Sequence, residues 1–332
     1  MLTLNKNYIT TKFKLPDTST LVILNGIHQP ELSDAYINSI FENQTLKIPK
    51  NTKIEQPIHL LFLTSQNYDS TLDIIAEKNS YATIIEEYSS LGDKTYTSNI
   101  KTNITAKDHS EIIQHKIQIE NIEQSNHQTE THINQEQNSK ITSFFISKGA
   151  KTSSDTLHIK LAAENASYDI KGINLLCNTQ TMSQQIKIEH LVPNCTSNVL
   201  FKSIVDDQAT NNFDCRVIAH LNATKTETHV TNKNLLLSES ATANTSPELE
   251  VYVDDVICTH GATVGQLDQE AIFYLRSRGI TKDIAVKLLT AAFVQEITDQ
   301  FIKHVIPNAV RDLHGEDQIP RFARDDVRVT LG

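Results

Sequence analysis

A β-solenoid followed by a small helical domain is the fold this sequence predicts, and three observations predict it. Between residues 80 and 260, short strand-like runs follow one another with polar punctuation, and no 3.6-residue periodicity lasts for a helical length. Tight glycine-based hairpin turns are nearly absent, and the series is too long for one ordinary sandwich. After residue 266 the pattern turns helical, with capping residues at both ends of the first segment. The 332-residue length exceeds the usual single globular core, which suits an elongated repeat domain plus a smaller one. The composition agrees: 39% of residues are hydrophobic but only 6% aromatic, there are 9 glycines and no Trp, and Asn, Thr, Gln and Ser abound. Spacing alone leaves a sandwich and a barrel beside the solenoid. The length of the series and the missing hairpin glycines favour stacked coils that bury a continuous ribbon of Ile, Leu and Val.

Residues 1–79 read as a lead-in with short strands. Residues 20–25 are apolar, Asn25-Gly26 marks a turn, and 59–64 form a second apolar run. Residues 80–266 are expected to form the β-helix core, with strand-like runs at 81–87, 112–119, 140–147, 156–161, 168–176, 185–191, 199–205, 213–221, 226–230, 234–237 and 248–257. In Ile186-Lys187-Ile188-Glu189 the apolar side chains face one way and the charged ones the other. Residues 267–332 are expected to form the helical domain. Asp268 caps its first helix, Glu270 sits in the first turn, Arg276 and Arg278 in the last, and Gly279 follows as the left-handed stop. Thr281 caps a second helix reaching about His304 and stopped by Pro307, with a charged, irregular tail over 308–332. Its apolar residues reach round much of the helix, more than one packing face needs.

The formal net charge of −10 argues against nucleic acid, because phosphate binding needs a basic face. The first residues hold no apolar core of signal-peptide length, no run approaches a membrane span, and the four cysteines show no tight pairing. A reduced chain in the cytoplasm is the expectation. Cys177, Cys195 and Cys215 are read as about one coil apart; small buried hydrophobes are the favoured reading, a stacked ladder the alternative, and His190 is read as a structural histidine near Pro193. Asp254 and Asp255 are expected on a strand, facing opposite ways, and so form no carboxylate pair. The sequence holds no G-x-S-x-G, Walker A, H-E-x-x-H or G-x-G-x-x-G pattern, so nothing in it points to hydrolysis of nucleotide or peptide.

One stretch, residues 247–279, carries chemistry. In Cys258-Thr259-His260-Gly261-Ala262-Thr263-Val264-Gly265, a thiol and an imidazole lie two apart on a strand, so they point the same way. Thiolate and imidazole suit iron, zinc or an iron–sulfur cluster. Two ligands do not close a tetrahedral site, so a metal here needs further ligands, and a partner chain is the obvious source. By spacing alone, a buried structural Cys beside a hydrogen-bonded His is the favoured reading, because Cys-x-His is far less specific than paired Cys-x-x-Cys motifs.

The block from Pro247 to Asp268, with Phe273-Tyr274-Leu275-Arg276-Ser277-Arg278-Gly279-Ile280 after it, resembles the SufD family, subunits of the SUF iron–sulfur cluster assembly machinery. His190-Leu191-Val192-Pro193-Asn194-Cys195-Thr196-Ser197 and Asn234-Leu235-Leu236-Leu237-Ser238 agree with it. The related SufB family typically carries Glu after the motif's His, where this chain has Gly261. The resemblance, over residues 80–305, implies a right-handed parallel β-helix with a C-terminal helical domain. It implies a non-catalytic scaffold subunit that pairs with SufB at the end of the β-helix and with the ATPase SufC through the C-terminal helices. Phe273, Leu288, Phe293, Ile297 and Phe301 are the expected partner-binding residues. Iron or a nascent cluster would be held transiently in the complex at Cys258 and His260, with ligands shared by SufB and no cofactor tightly bound to the isolated chain. A homodimer in the absence of SufB is a further expectation. The chain departs from the family in entering strand-like sequence by Thr20, where many members have a helical domain. At the coil corners, Asn and Asp are expected to replace the usual glycines, since they tolerate left-handed backbone. The alternatives are a β-helix enzyme acting on polysaccharide, which needs an exposed Asp/Arg/Lys cluster, and a structural β-solenoid such as an adhesin.

Overall fold

The computed structural model describes residues 5–13, 15 and 17–305. The expected helix stop at Pro307 and the tail over 308–332 lie outside the described residues. The chain enters through α1 (Lys6–Lys12), β1 (Ser19–Leu24), β2 (Ile27–His28), α2 (Ala35–Ser39), β3 (Phe41–Glu42) and β4 (Thr45–Ile48). Then come β5 (Ile58–Thr64), β6 (Tyr68–Ala76), β7 (Tyr81–Ser90), β8 (Tyr96–Ala106), β9 (Glu111–Ile119), β10 (Ser125–Gln135), β11 (Lys140–Ser147) and β12 (Thr152–Leu161). The last strands are β13 (Ser167–Leu176), β14 (Thr181–His190), β15 (Thr196–Val205), β16 (Thr210–Ala219), β17 (Glu227–Leu236), β18 (Thr242–Val251) and β19 (Ile257–Gln266), followed by α3 (Gln269–Ser277) and α4 (Lys282–Val305).

From β5 onward each strand pairs in parallel with the strand two places on, so odd strands build one sheet and even strands the other. This is a β-solenoid of about 8 turns with two strands per coil. In register Thr152 meets Thr181 and Thr181 meets Thr210, a coil of 29 residues. The sheet takes in residues well before 80: β1 pairs in parallel with β5, and β5 with β7. The short strands of the lead-in, β1 and β4, thus join the two sheets of the solenoid, with α1 and α2 added.

The corners are turned as the composition suggests. Asn51, Asn79, Asn138, Asn165, Asn178, Asn194, Asp207 and Asp255 all have positive φ, between 53° and 61°. A side-chain amide tolerates this region because it can bond locally. Successive corners also bond to each other: Asn79 Nδ2 donates to Asn51 Oδ1 at 2.8 Å, and Asn165 Nδ2 to Asn138 Oδ1 at 3.0 Å. Asp255 sits at such a corner between β18 and β19, so Asp254 and Asp255 belong to a turn and not to the expected strand.

The interior is apolar along one ribbon (Ile84, Ile112, Ile141, Tyr168, Val199 and Val230 among others) and polar beside it. Lys116 Nζ donates to Asp155 Oδ1 at 2.5 Å. Glu120 accepts from Tyr96 Oη at 2.8 Å and lies 2.9 Å from His127 Nδ1. Further along, Asn174 Nδ2 donates to Gln184 Oε1 at 2.8 Å, and Asn211 Nδ2 to Asn234 Oδ1 at 3.0 Å. Pairing of this kind is what makes charged and amide groups tolerable inside a coil.

α3 and α4 form as expected. Asp268 Oδ1 accepts from Glu270 N at 2.8 Å, Gly279 has φ +86°, and Thr281 Oγ1 accepts from Ile284 N at 3.4 Å. α4 lies on the outer face of the odd-strand sheet, which is apolar there. Val294 and Ile297 pack on Ile173 and Ile204, and Phe301 packs among Ile85, Ile113, Ile117 and Phe144. Lys202 Nζ pins the helix, donating to the carbonyl of Phe293 at 2.8 Å and pairing with Glu296 at 3.0 Å.

The two ends of the solenoid differ. At the first end, β2 and β3 close the sheets as short antiparallel partners, and α2 packs beside them. At the other end β18 and β19 are the terminal strands of their sheets.

Candidate functional site

Cys258 and His260 lie on β19, at the open end. Cys258 is opposite Thr228 and His260 opposite Val230, and both of those β17 residues are buried in the interior row. Cys258 and His260 therefore occupy inward-pointing positions of the final coil. With no further coil stacked on them, Cys258 is half-buried and His260 exposed. The same holds along the strand: β17 alternates between buried and less buried residues, whereas β19 has no fully buried residue. A Cβ on Gly261 or Gly265 would meet nothing within 4 Å, so the backbone beside the pair is open to a large neighbour.

The imidazole of His260 is oriented by the opposite sheet. Its Nδ1 lies 2.9 Å from the carbonyl oxygen of Pro247 on β18. A carbonyl only accepts, so Nδ1 carries the proton and donates, and Nε2 keeps its lone pair. This Nδ1–H···O=C arrangement is the one that fixes the tautomer and aim of metal-binding histidines. Burial raises the pKa of the Cys258 thiol above its ordinary value, so in the isolated chain the sulfur rests protonated. A metal would have to displace that proton.

Beneath Cys258 the interior is hydroxylic. Thr228 Oγ1 and Ser197 Oγ are 2.8 Å apart, and Ser197 Oγ is 2.8 Å from Nε2 of the buried His190. Burial pulls the His190 pKa down to about 4, so this ring is neutral at ordinary pH, the structural role expected for it.

The other cysteines do not join the site. Cys177 and Cys195 are 18 residues apart and Cys195 and Cys215 are 20, against a 29-residue coil, so the alternative of a stacked ladder fails. Cys177 follows β13, Cys195 precedes β15, and Cys215 is on β16, where burial raises its thiol to about 12. All four cysteines are free.

The five expected partner-binding residues divide. Phe273 is 73% exposed, and Tyr274 on the same helix and Ile284 on α4 are also exposed. Leu288 and Phe293 are half-buried. Ile297 and Phe301 are buried against the sheet and hold α4 to its own solenoid, so they are not a free partner surface. Helical periodicity could not tell them apart because it does not say which side of the stripe meets the sheet.

One cluster escaped the sequence reading: Glu130, His132 and His158, on the outer face of the even-strand sheet. The signal was there, since a Glu-x-His pair is followed by another His one coil later, but it needs the coil length to be seen. Among the described residues, no helix is long and apolar enough to cross a membrane.

Residues 64–293 match the family described as SUF system FeS cluster assembly, SufBD core domain. The chain is 30% identical to an iron–sulfur cluster assembly SufBD family protein of Synechocystis sp., over 87% of this chain and 76% of that protein. It is 29% identical to the iron–sulfur cluster assembly protein SufD of Escherichia coli, over 76% of this chain and 62% of that protein. It is 25% identical to the chloroplastic protein ABCI7 of Arabidopsis thaliana, over 87% of this chain and 61% of that protein.

Proposed function

The chain belongs to the SufBD family of SUF-system iron–sulfur cluster assembly proteins and is of the SufD type, and on that premise we propose that it is a non-catalytic scaffold subunit that presents Cys258 and His260 to a partner's ligands. The partner at this end is SufB, and the ATPase SufC docks on the helical domain. Iron, or a nascent cluster, is the cargo held between the two solenoids.

The observation that carries this reading is the uncovered last coil. Residues whose counterparts one coil back are buried stand exposed here, and Val251, Ile257 and Val264 add apolar surface around them. A terminal strand with a free backbone edge and apolar neighbours is a surface that pairs readily with another chain. The ligand count leads to the same place. One sulfur and one imidazole nitrogen leave at least two positions of a tetrahedral site for the partner. On the helical domain, exposed Phe273, Tyr274 and Ile284 supply the apolar anchors for SufC, with Leu288 and Phe293 at the margin. ATP-driven movement of that domain would reach the cluster site through the short connection from β19 to α3.

The test is co-expression of this chain with SufB and SufC and purification through a tag on this chain. Recovery of both partners supports the reading, as does loss of SufC alone with Phe273→Asp. Elution of this chain without SufB would refute the end-to-end pairing.

A further inference from the structure

Glu130, His132 and His158 lie on the outer face of the even-strand sheet, on β10 and β12, four and three coils respectively from the open end in that sheet. Each brings one possible ligand atom, and these atoms all lie within 4.8 Å of one another. The solenoid register creates the cluster. His132 is directly opposite His158 on the hydrogen-bonded neighbour, and outward residues in step on adjacent coils stand about 5 Å apart. Their rings stack with centroids 4.9 Å apart and planes at 22°. Glu130, two residues before His132 on the same face, places Oε1 2.5 Å from His132 Nε2.

We propose that Glu130, His132 and His158 form a binding site for a divalent transition metal, with two imidazoles and one carboxylate as ligands and the remaining positions open. The donor set selects the class: imidazole with carboxylate suits Zn²⁺, Fe²⁺, Co²⁺ and Ni²⁺ better than Mg²⁺ or Ca²⁺.

The surroundings leave room. Ligand atoms around such a metal sit roughly 3.4 Å apart for bonds near 2.1 Å. The Glu130–His132 pair must therefore part slightly, and their side chains, 47% and 40% exposed, can do so. Two cations face the cluster. Lys101 is 3.9 Å from Glu130, too long for a strong bond, and Lys187, in register beside His158, is paired with Glu189 at 3.4 Å. On the far side of His132, Asn103 is taken up by Asp73. Beyond Glu130 opens a groove of about 530 Å³ lined by Asp69, Asn99, Lys101, Gln128 and Thr156, from which water or a small anion could complete the coordination.

The experiment uses the full chain carrying Cys258→Ser and His260→Ala, so that the end site cannot contribute. Co²⁺ is titrated while its visible absorption is followed, and Zn²⁺ is titrated by calorimetry. The expected result is about one equivalent bound with the spectrum of a nitrogen- and oxygen-ligated ion. Adding His132→Ala or His158→Ala should weaken binding by about 100-fold or more, and Glu130→Gln by about 10-fold or more. His132→Asn and His158→Asn repeat the test if an alanine variant melts early. No binding to the Cys258→Ser/His260→Ala chain, or binding unaffected by both histidine changes, overturns the proposal.

Discussion

His260 can offer a metal only Nε2, because the Pro247 carbonyl holds the proton on Nδ1. That single hydrogen bond, across the mouth of the solenoid, separates a poised ligand from a loose surface histidine. The pairing of Cys258 with His260 was legible in the sequence because strand spacing alone sets them on one face. The tautomer was not, since Pro247 is 13 residues away and on the other sheet. His190 shows the opposite use of the same side chain. Its pKa is lowered from 6.5 to about 4 by burial, so the unfolded chain binds its proton first as the pH falls. Stability contributed by the neutral ring is complete above pH 6.5 and is lost between 6.5 and 4, by about 3 kcal/mol in all. Urea unfolding midpoints should drop across that window in the native chain, and His190→Asn should flatten the drop. An equal drop in the variant would assign it to other groups.

At the scale of the element, the two C-terminal helices place their apolar residues differently. Ile297 and Phe301 bind α4 to the sheet, while Phe273 on α3 faces outward. Ile297→Ala should cost about 2–5 kcal/mol, as buried aliphatic truncations do. Phe273→Ala should stay within about 0.5 kcal/mol of the native chain in the same thermal or denaturant unfolding. Equal costs would mean that Phe273 is also packed. Among the strands, β13 and β15 stood out in the sequence because their inward rows are largely apolar. β8 and β10 did not. The inward row of β10 is Ser125, His127, Thr129, Thr131, Ile133 and Gln135, so the alternation is of hydrogen bonding and not of hydropathy. β17 read as two runs because Thr231, Asn232 and Lys233 interrupt it, although Asn232 is fully buried.

The whole molecule is a column closed at one end and open at the other, with charges buried along its axis. Burial alone would raise the pKa of Glu120 and Asp155, but their partners, His127 first with Tyr96 and Gln118 for Glu120, and Lys116 first with His127 and Thr129 for Asp155, together more than offset it and hold both carboxyls below their ordinary values. These groups contribute stability above the unfolded carboxylate pKa and lose it as the pH falls through the lower folded value. Acid unfolding should therefore continue below the range in which His190 acts. Lys116→Met, which strands Asp155, should cost about 3–5 kcal/mol at pH 7 and move acid unfolding to higher pH, as read by far-ultraviolet circular dichroism. A variant with unchanged acid unfolding would show that the pair is not coupled as the 2.5 Å contact implies. The solenoid itself was legible from the even run of strands. Its first coils were not, because β1 and β5 are separated by a hairpin and a helix and pair only in space. The open end was legible least of all, since exposure of an interior row depends on where stacking stops.

On the proposed reading, the open end supplies one chain's share of a site completed by SufB. The most direct measurement is the iron and sulfide content of the complex of this chain with SufB and SufC, purified without oxygen, with native His260 and with His260→Ala. Intact assembly with iron and sulfide largely lost in the variant is the predicted result. An intact complex with full cluster content would contradict it.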